Sequence, residues 1–346
     1  MARLSIVWSS IGLAALLLAQ AGCTTAPANS EGPTPPAAAI EAAAPAAANE
    51  TAPPAASGAP LDYSREAFVP GEPVTMTVSD EVTAISVATR VGNVAAEVGA
   101  DTQVHIEVTK LVRAGLSPEQ KELADRVTIT PRVVEGALTL EPKTPEPLSS
   151  YAEVADFDVT IRLPVSWAAE AKGTEAASIP RLTVKNVSGN ISAANARCDL
   201  TITTISGLVL LRALEGEAVV HTTEGDVKAS GCAWVRAVLN STGGHITAEP
   251  ARLGPGDDLR LSSSIGNLKV VAPADADCCV EADTTAGRVS SSAAALRSGI
   301  RYSGRSMRAY LGEGAGLLQL RSTTGNIQID MKPEVGQQDS REDGAT

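Results

Sequence analysis

Seven segments in the second half of the chain share one pattern built around a glycine. Their anchor glycines are Gly189, Gly207, Gly225, Gly244, Gly266, Gly287 and Gly325, separated by 18, 18, 19, 22, 21 and 38 residues. Counted from each glycine, positions −7, −5, +2 and +4 are apolar with almost no exception. Because side chains alternate between the two faces of a strand, each unit predicts two short half-buried strands joined at the glycine.

This repeat restricts the choice of fold. A unit of 18 to 22 residues is too short to close its own core, so units must stack to bury their apolar positions, as in a β-solenoid. Stacked rungs lie about 4.8 Å apart, and seven rungs span roughly 34 Å. An open antiparallel meander uses the same alternation, but it has no reason to keep one phase relative to every glycine. The sequence therefore predicts an all-β, solenoid-like stack of two-strand rungs over 181–331.

The composition agrees with a stack of flat rungs. Aromatic residues make up 3% of the chain, so the core must be aliphatic. At each bend the glycine supplies a positive φ or lets two backbones approach closely, and turn-forming residues follow several of the glycines. These turn formers are Asn190, Asp226, Asn267 and Asn326. The repeat glycines are therefore interpreted as structural residues.

An earlier segment, 85–96, fits the same frame around Gly92 and predicts an early rung or a cap. The wider region 61–180 carries less regular strand patterns and a helix start with a capping box at Ser117. We interpret 61–180 as an N-terminal β region that caps the stack, since an uncovered end invites edge pairing. Residues 292–316 interrupt the array and have room for a divergent rung.

Residues 1–22 have the pattern of an export signal. Arg3 precedes about 16 uncharged, mostly apolar residues, a run that is short for a membrane span and typical of a signal peptide. Small residues before Cys23 resemble the lipobox of bacterial lipoproteins, in which the cysteine is lipidated and becomes the new N-terminus. Gln20 departs from the apolar residue usual at its position. Cleavage after Ala21 by an ordinary signal peptidase, which leaves a soluble secreted protein, is the alternative.

Residues 23–60 are interpreted as the lipidated cysteine and a disordered tether. Residues 24–60 contain 15 Ala and 8 Pro among 37, and repeated Pro prevents a continuous Ala helix, so an extended spacer is expected. The polar, acidic segment 332–346 predicts a disordered tail. Folding is thus assigned to 61–331. The formal net charge of −12 argues against a non-specific nucleic-acid binder, which needs a basic surface.

Two groups of side chains could carry chemistry. His221 and His245 belong to adjacent units, with Glu224 and Asp226 nearby, but they lack the short spacing of a metal site and are interpreted as surface histidines. Carboxylates serve lyases and hydrolases built on β-helices, yet no Lys, Arg or Tyr cluster is evident beside the acidic residues of this chain. Those acidic residues are Asp257, Asp258, Asp275, Asp277, Glu281 and Asp283. No catalytic, cofactor-binding or metal-binding residue is therefore predicted.

The cysteines of the folded region are interpreted mainly as buried thiols. Cys198 and Cys278 occupy equivalent inward positions four rungs apart, about 19 Å, which is beyond the reach of a disulfide. Cys232 is about two rungs from Cys198, which is also too far. A bond between the neighbouring Cys278 and Cys279 is left open.

Three segments carry a resemblance to a known family. They are FDVTIRLP (157–164), LTVKNVSGNISA (182–193) and GAGLLQLRSTTGNIQI (314–329), with repeated T-x-G-[ND]-[IV] units between the last two. In this order they resemble the bacterial putative-adhesin family of β-strand-repeat proteins, a domain of unknown function, over about 75–330. The resemblance implies a β-solenoid-like fold, common on exported or membrane-anchored proteins, with no established enzymatic role.

These observations lead to one functional prediction with two alternatives. The chain is predicted to be a non-catalytic cell-envelope lipoprotein, held at the outer membrane through Cys23, and to act as an adhesin-like scaffold that contacts an envelope protein or polymer. No cofactor and no nucleic acid are expected. The alternatives are a β-helix polysaccharide lyase or hydrolase that uses surface carboxylates, and a soluble secreted protein.

Overall fold

The computed structural model describes residues 67–78, 82–169, 179–292 and 297–333. All of them fall within one compact unit, Ala59–Thr346. The predicted signal peptide, Cys23, the tether and all but two residues of the predicted tail lie outside the described residues.

Strands dominate the described part of the chain. The strands of the N-terminal region are β1 (Phe68–Val78), β2 (Ala84–Ala88), β3 (Val94–Val98), β4 (Val104–Arg113), β5 (Arg132–Val134), β6 (Ala137–Leu140) and β7 (Ala155–Leu163). The next group is β8 (Arg181–Lys185), β9 (Ile191–Ala194), β10 (Asp199–Thr204), β11 (Val209–Arg212), β12 (Glu215–Thr222), β13 (Val227–Ser241) and β14 (Ile246–Pro250). The last group is β15 (Asp258–Ile265), β16 (Leu268–Ala272), β17 (Cys278–Ala286), β18 (Val289–Ser291), β19 (Arg297–Tyr302), β20 (Ser306–Leu311), β21 (Gly316–Thr324) and β22 (Ile327–Met331). The α-helix is α1 (Pro118–Arg126), and short 3₁₀ turns cover Tyr151–Glu153 and Val165–Trp167.

Each repeat unit contributes one strand to each of two sheets. Sheet B holds the strands before the bends and sheet A holds the strands after them. Repeat strands pair in parallel and in register, so Leu200 of β10 lies between Leu182 of β8 and Ala218 of β12. The long β13 bends and serves both sheets, first beside β11 and β14 and then beside β12 and β15. The predicted β-solenoid-like fold is confirmed.

The core lies between the two sheets. The side chains at positions −7, −5, +2 and +4 are buried in every rung, with the exception of Ser291. Each buried Val, Leu or Ile side chain contributes about 1.5–3 kcal/mol relative to an exposed one. Because identical positions stack on one another, these contributions come from one continuous column of aliphatic groups rather than from separate clusters.

The order of the rungs departs from the order of the chain at the C-terminal end of the stack. In the Gly325 rung, β21 pairs with both β15 and β17, and β22 pairs with both β16 and β18. This rung therefore lies between the Gly266 and Gly287 rungs. The predicted spacing of four rungs between Cys198 and Cys278 is wrong for this reason, because five rung steps separate them.

The described part of residues 292–316, which leaves out 293–296, does not form a divergent rung. This part contains β19 and β20, an antiparallel pair. β20 lies antiparallel beside β17 in sheet B, and β19 lies beyond β20. The chain then returns one rung inward to form β21. The antiparallel pair thus covers the end of sheet B where a further parallel rung was expected.

The N-terminal end shows the same exchange of order. The Gly92 rung consists of β2 and β3, which pair with β8 and β9 on one side and with β6 and β7 on the other. Beyond them, β4 and β1 extend sheet A and β5 extends sheet B, all by antiparallel pairing. The helix α1 starts at Ser117 with the predicted capping box. Segment 85–96 is thus a rung, and antiparallel elements end the stack beyond it.

Candidate functional site

The bends of the eight rungs form a column of glycines along one edge of the stack. A Cβ atom on any repeat glycine beyond Gly92 would overlap the carbonyl oxygen of the glycine in the preceding rung, and on Gly92 it would overlap that of Phe157. Gly189 and Gly207 also have positive φ values of 130° and 109°, but the other repeat glycines do not. Close approach of backbones is therefore the common reason for glycine at these bends.

A column of buried hydroxyl groups supports the glycines. The residues three before the glycine in six rungs are Thr204, Thr222, Ser241, Ser263, Thr284 and Ser322, and all are buried. Ser241 shows the pattern, because its Oγ accepts a hydrogen bond from Gly244 N at 2.8 Å and donates to Gly225 O at 3.2 Å. The sequence shows Ser or Thr three residues before six of the glycines, but the repeat pattern defined by the apolar positions does not include them.

The residues that follow the glycines form a second hydrogen-bonded column. Asn267 Oδ1 accepts from Asn326 N at 2.8 Å, and Asn326 Oδ1 accepts from Arg288 N at 3.0 Å. Asp226 Oδ1 accepts from His245 N at 2.7 Å in the same way. These residues therefore connect neighbouring rungs as well as forming turns.

The two repeat histidines belong to separate surface positions. His245 Nδ1 accepts a hydrogen bond from Asn267 N at 2.9 Å, whereas His221 Nδ1 lies 3.3 Å from Asn240 Nδ2. Both histidines are exposed. The described residues contain no group of three His, Cys, Asp or Glu side chains that could hold a metal ion.

The structure brings three of the predicted acidic residues together. Asp257, Asp275 and Asp277 line a cavity of about 390 Å³ beside Arg252. The buried Asp257 accepts from Gly254 N at 3.0 Å and lies 3.6 Å from the Arg252 guanidinium. Its carboxylate therefore closes a turn.

Other carboxylates of the acidic group are also held by structural contacts. Hydrogen bonds from the amides of Ala315, Gly314 and Glu313 hold the pKa of Asp277 below its usual value. Asp258 lies outside the cavity and forms a bidentate pair with Arg260 at 2.8 Å. Glu281 contacts Gln319 and Arg308. These carboxylates position loops and strands.

The cysteines at the inward positions are free, buried thiols. Burial raises the pKa of Cys198 and Cys278 to about 12 and that of Cys232 to about 11, so each stays protonated near neutral pH. Cys279 is also a free thiol and is half-buried on the opposite face of β17. Cys278 and Cys279 are two separate thiols in the structure, and mass measurement of the purified protein with and without reductant tests whether a vicinal bond forms.

A row of exposed hydroxyl groups runs beside the glycine column. Its members lie two residues before the glycines of five consecutive rungs, in the stacking order Thr223, Thr242, Ser264, Thr323 and Thr285. We call this set the hydroxyl row. Ser264, Thr323 and Thr285 also line a shallow cavity of about 410 Å³ together with Arg321 and Asp283. Hydroxyl groups both donate and accept hydrogen bonds, so the row is a repeating polar contact surface.

Within the described ranges, no helix has the length and apolar character needed to cross a membrane. No match to the chain is found among curated proteins.

Several solved structures are similar to this chain. A putative cell adhesion protein from Clostridium sporogenes has 13% identity and a TM-score of 0.30, and the alignment covers 76% of this chain and 100% of that one. A putative adhesin from Bacteroides fragilis has 12% identity and a TM-score of 0.31, with 75% and 97% covered. A putative lipid binding protein from Parabacteroides distasonis has 9% identity and a TM-score of 0.26, with 76% and 98% covered.

A family model also matches the repeat region that carries the resemblance described above. Residues 82–339, about three quarters of the chain, match the family model Toastrack DUF4097. The match includes every repeat glycine from Gly92 to Gly325. The chain therefore belongs to the Toastrack DUF4097 family.

Proposed function

We propose that this protein is a non-catalytic, adhesin-like scaffold of the cell envelope that contacts an envelope polysaccharide through the hydroxyl row. The observation that carries the proposal is the exposure of five hydroxyl side chains at equivalent positions in five consecutive rungs. A polysaccharide is itself a repeating array of hydroxyl groups, so many weak hydrogen bonds can add up along its length.

The surface chemistry favours a polysaccharide over a protein partner. Protein interfaces have an apolar core rich in aromatic residues, whereas the hydroxyl row consists of Thr and Ser. The net charge of −12 repels polyanions at long range, so the neutral hydroxyl groups of the row favour an uncharged polysaccharide.

The absence of catalysis in this proposal is supported by the acidic residues themselves. Asp257 closes a turn, Asp258 pairs with Arg260 and Asp277 holds three amides. A general acid or base needs a carboxyl group that can reach a substrate and exchange a proton with it. These carboxylates are already taken by structural hydrogen bonds.

The proposed location rests on the N-terminal sequence. A lipid on Cys23 would anchor the protein, and the Ala- and Pro-rich residues 24–60 would hold the repeat domain away from the membrane. The soluble secreted protein is the alternative. Intact mass of the protein from its bacterial host separates the two, since acylation adds mass at Cys23 and ordinary cleavage leaves a chain that begins at Gly22.

The contact is tested by co-sedimentation of the purified chain lacking residues 1–23 with insoluble cell-wall polysaccharide. The double variant Thr242→Val, Ser264→Ala removes two central hydroxyl groups of the row and is expected to bind at least about threefold more weakly. The matched control Ser192→Ala, Thr247→Val removes two hydroxyl groups from the outer face of sheet A and should bind as the wild type does.

Equal binding by both double variants would show that the hydroxyl row is not the contact surface. The same incubations are assayed for new polysaccharide ends. No release is expected from any variant, and release that is abolished by Asp257→Asn or Asp258→Asn would establish the lyase or hydrolase instead.

A further inference from the structure

Strand β1 lies at the edge of sheet A at the N-terminal end of the stack. In the described part of the chain it pairs with β4 alone, so no described strand lies on its other side. Val74 is 60% exposed, and Thr75 and Thr77 are exposed as well. An edge strand carries unpaired backbone N–H and C=O groups that can pair with a strand of another molecule.

The other outer strands of the two sheets are short or charged. β5, at the same end of the stack in sheet B, has three residues and contains Arg132. At the far end, β18 also has three residues, and the amide of Val289 donates to Gly304 O at 2.9 Å. β19 contains Arg297 and Arg301. Short length and charge are common protection against edge-to-edge pairing.

β1 has such protection only in its first half. Pro70, Gly71, Glu72 and Pro73 interrupt this half, and the register with β4 shifts between the two prolines. The second half, VTMTV (74–78), contains no charge, proline or glycine and pairs with β4 in a regular register. Its β-branched residues favour strand pairing. Five uncharged residues of β1 thus form an unprotected edge.

The apolar core is open beside this segment. A cavity of about 200 Å³ has a mainly apolar lining that includes Val74, Met76, Val127 and Phe157. Val74, Met76 and Val78 share one face of β1 because side chains alternate along a strand. Met76 and Val78 pack against the core and are only partly buried. A further strand beside β1 would therefore place its own apolar face over this part of the core.

The sequence of the segment is complementary to itself. VTMTV reads the same in both directions, so two copies paired antiparallel about Met76 place Val74 opposite Val78 and Thr75 opposite Thr77. Opposite residues of paired strands share a face, so the apolar side chains of both copies lie on the core side and the threonines on the outer side. The segment is also uncharged, which matters because each copy carries a net charge of −12.

We propose that this chain forms a symmetric dimer through antiparallel pairing of VTMTV (74–78) from two copies. The pairing joins sheet A of both molecules into one continuous sheet and places Val78 of each copy beside Val74 of the other. A two-fold axis at Met76 uses the same edge on both copies, so assembly closes at two. Pairing of five residues is a small contact, so the dimer is weak and its population depends on protein concentration.

Analytical ultracentrifugation of the purified chain lacking residues 1–23 tests the dimer. The wild type is expected to shift from monomer to dimer as its concentration rises, without larger species. Val74→Lys places a charge at the paired edge and is expected to weaken dimerisation at least about tenfold. Val133→Lys places the same charge on the exposed edge strand β5 and should dimerise as the wild type does. Both valines are exposed, so both variants should keep the melting temperature of the wild type.

Single cysteines test the register of the pair. In a Cys279→Ser background, Met76→Cys should give a disulfide-linked dimer on mild oxidation, because position 76 faces itself across the axis within the roughly 7 Å reach of a disulfide. Val74→Cys should not, because it faces Val78 of the second copy and lies roughly 13 Å along the strand from the other position 74.

Three outcomes would each overturn the proposal. They are a wild type that stays monomeric as its concentration rises, a Val74→Lys variant that dimerises as well as Val133→Lys, and a Val74→Cys variant that cross-links as readily as Met76→Cys. If Met76→Cys fails to fold, the comparison of Val74→Lys with Val133→Lys decides alone. Variants of the hydroxyl row leave β1 intact, so the dimer and the polysaccharide contact fail independently.

Discussion

Gly244 shows at the scale of one residue what holds neighbouring rungs at their spacing. A Cβ atom at this position would overlap the carbonyl group of Gly225 and lie 2.9 Å from Ser241 Oγ. Backbone atoms cannot move aside as a flexible side chain can, so we expect Gly244→Ala to lower the free energy of unfolding by about 2–4 kcal/mol. Chemical denaturation of the purified variant measures the change.

Gly254 is the matched control. A Cβ atom there meets nothing within 4 Å, and its backbone is not in the left-handed region. Gly254→Ala should therefore be neutral or stabilise the protein by up to about 1 kcal/mol through the unfolded chain. Equal losses in both variants would mean that close rung contact is not what requires glycine at Gly244.

Residue-scale features differ in how far the sequence predicts them. Apolar alternation around the glycines predicts the buried positions, because burial on a strand follows side-chain parity alone. The role of Ser241 depends on a carbonyl in the next rung. The sequence shows that Ser or Thr recurs three residues before the glycines, but it does not show which group that hydroxyl binds. Thr89, three residues before Gly92, is buried and its hydroxyl has no hydrogen-bond partner, which the sequence pattern does not predict.

At the scale of strands, the order of the rungs departs from the order of the chain at both ends of the stack. The β21 and β22 pair lies inside β17 and β18, and the β2 and β3 pair lies inside β6 and β7. The sequence does not predict this order, because every rung offers the same apolar positions to its neighbours. A long connection such as 292–316 indicates that the repeat is interrupted, but it does not indicate on which side of the preceding rung the next strands pair.

Engineered cysteines test the order of the rungs. Gln328 pairs with Lys269 on one side and with Ser290 on the other, so Lys269 and Ser290 are two strands apart. In a Cys279→Ser background, Lys269→Cys with Gln328→Cys should form an intramolecular disulfide on mild oxidation. Lys269→Cys with Ser290→Cys should not, because a gap of about 10 Å exceeds the reach of a disulfide. Mass spectrometry of digested protein reads out the bond.

The outcome distinguishes the two stacking orders directly. If the rungs followed the chain, Lys269 and Ser290 would be neighbours, and the second pair would cross-link in place of the first. The wild-type thiols Cys198, Cys232 and Cys278 are buried and serve as internal controls, since they should stay reduced in both variants.

At the scale of the whole molecule, the free energy of unfolding of this strongly acidic chain depends on pH. Asp156 is fully buried and accepts hydrogen bonds from the amides of Arg90, Val91 and Phe157. Burial nevertheless raises the pKa of Asp156 to about 6. Asp277 behaves in the opposite way. Its pKa is lowered, so its ionised carboxylate stabilises the fold above the normal pKa of an aspartate, and this contribution is lost as the pH falls below that value.

Asp156 therefore predicts a more stable fold at mildly acidic pH. A folded pKa above the unfolded value means that the folded state binds the proton more tightly, so the contribution of Asp156 grows as pH falls from about 7 to about 4 and is lost as pH rises through about 6. The gain reaches about 3 kcal/mol at most. Lower self-repulsion among the other carboxylates adds to it in the same range.

Comparison with Asp156→Asn separates the buried group from the general charge effect. Denaturation curves between pH 4 and 7 should show a shallower rise in stability for Asp156→Asn than for the wild type, because the amide does not titrate. Asp283→Asn, an exposed carboxylate on β17, should keep the full wild-type slope. If all three proteins gain equally on acidification, self-repulsion accounts for the whole response and the buried Asp156 does not set the pH dependence of this fold.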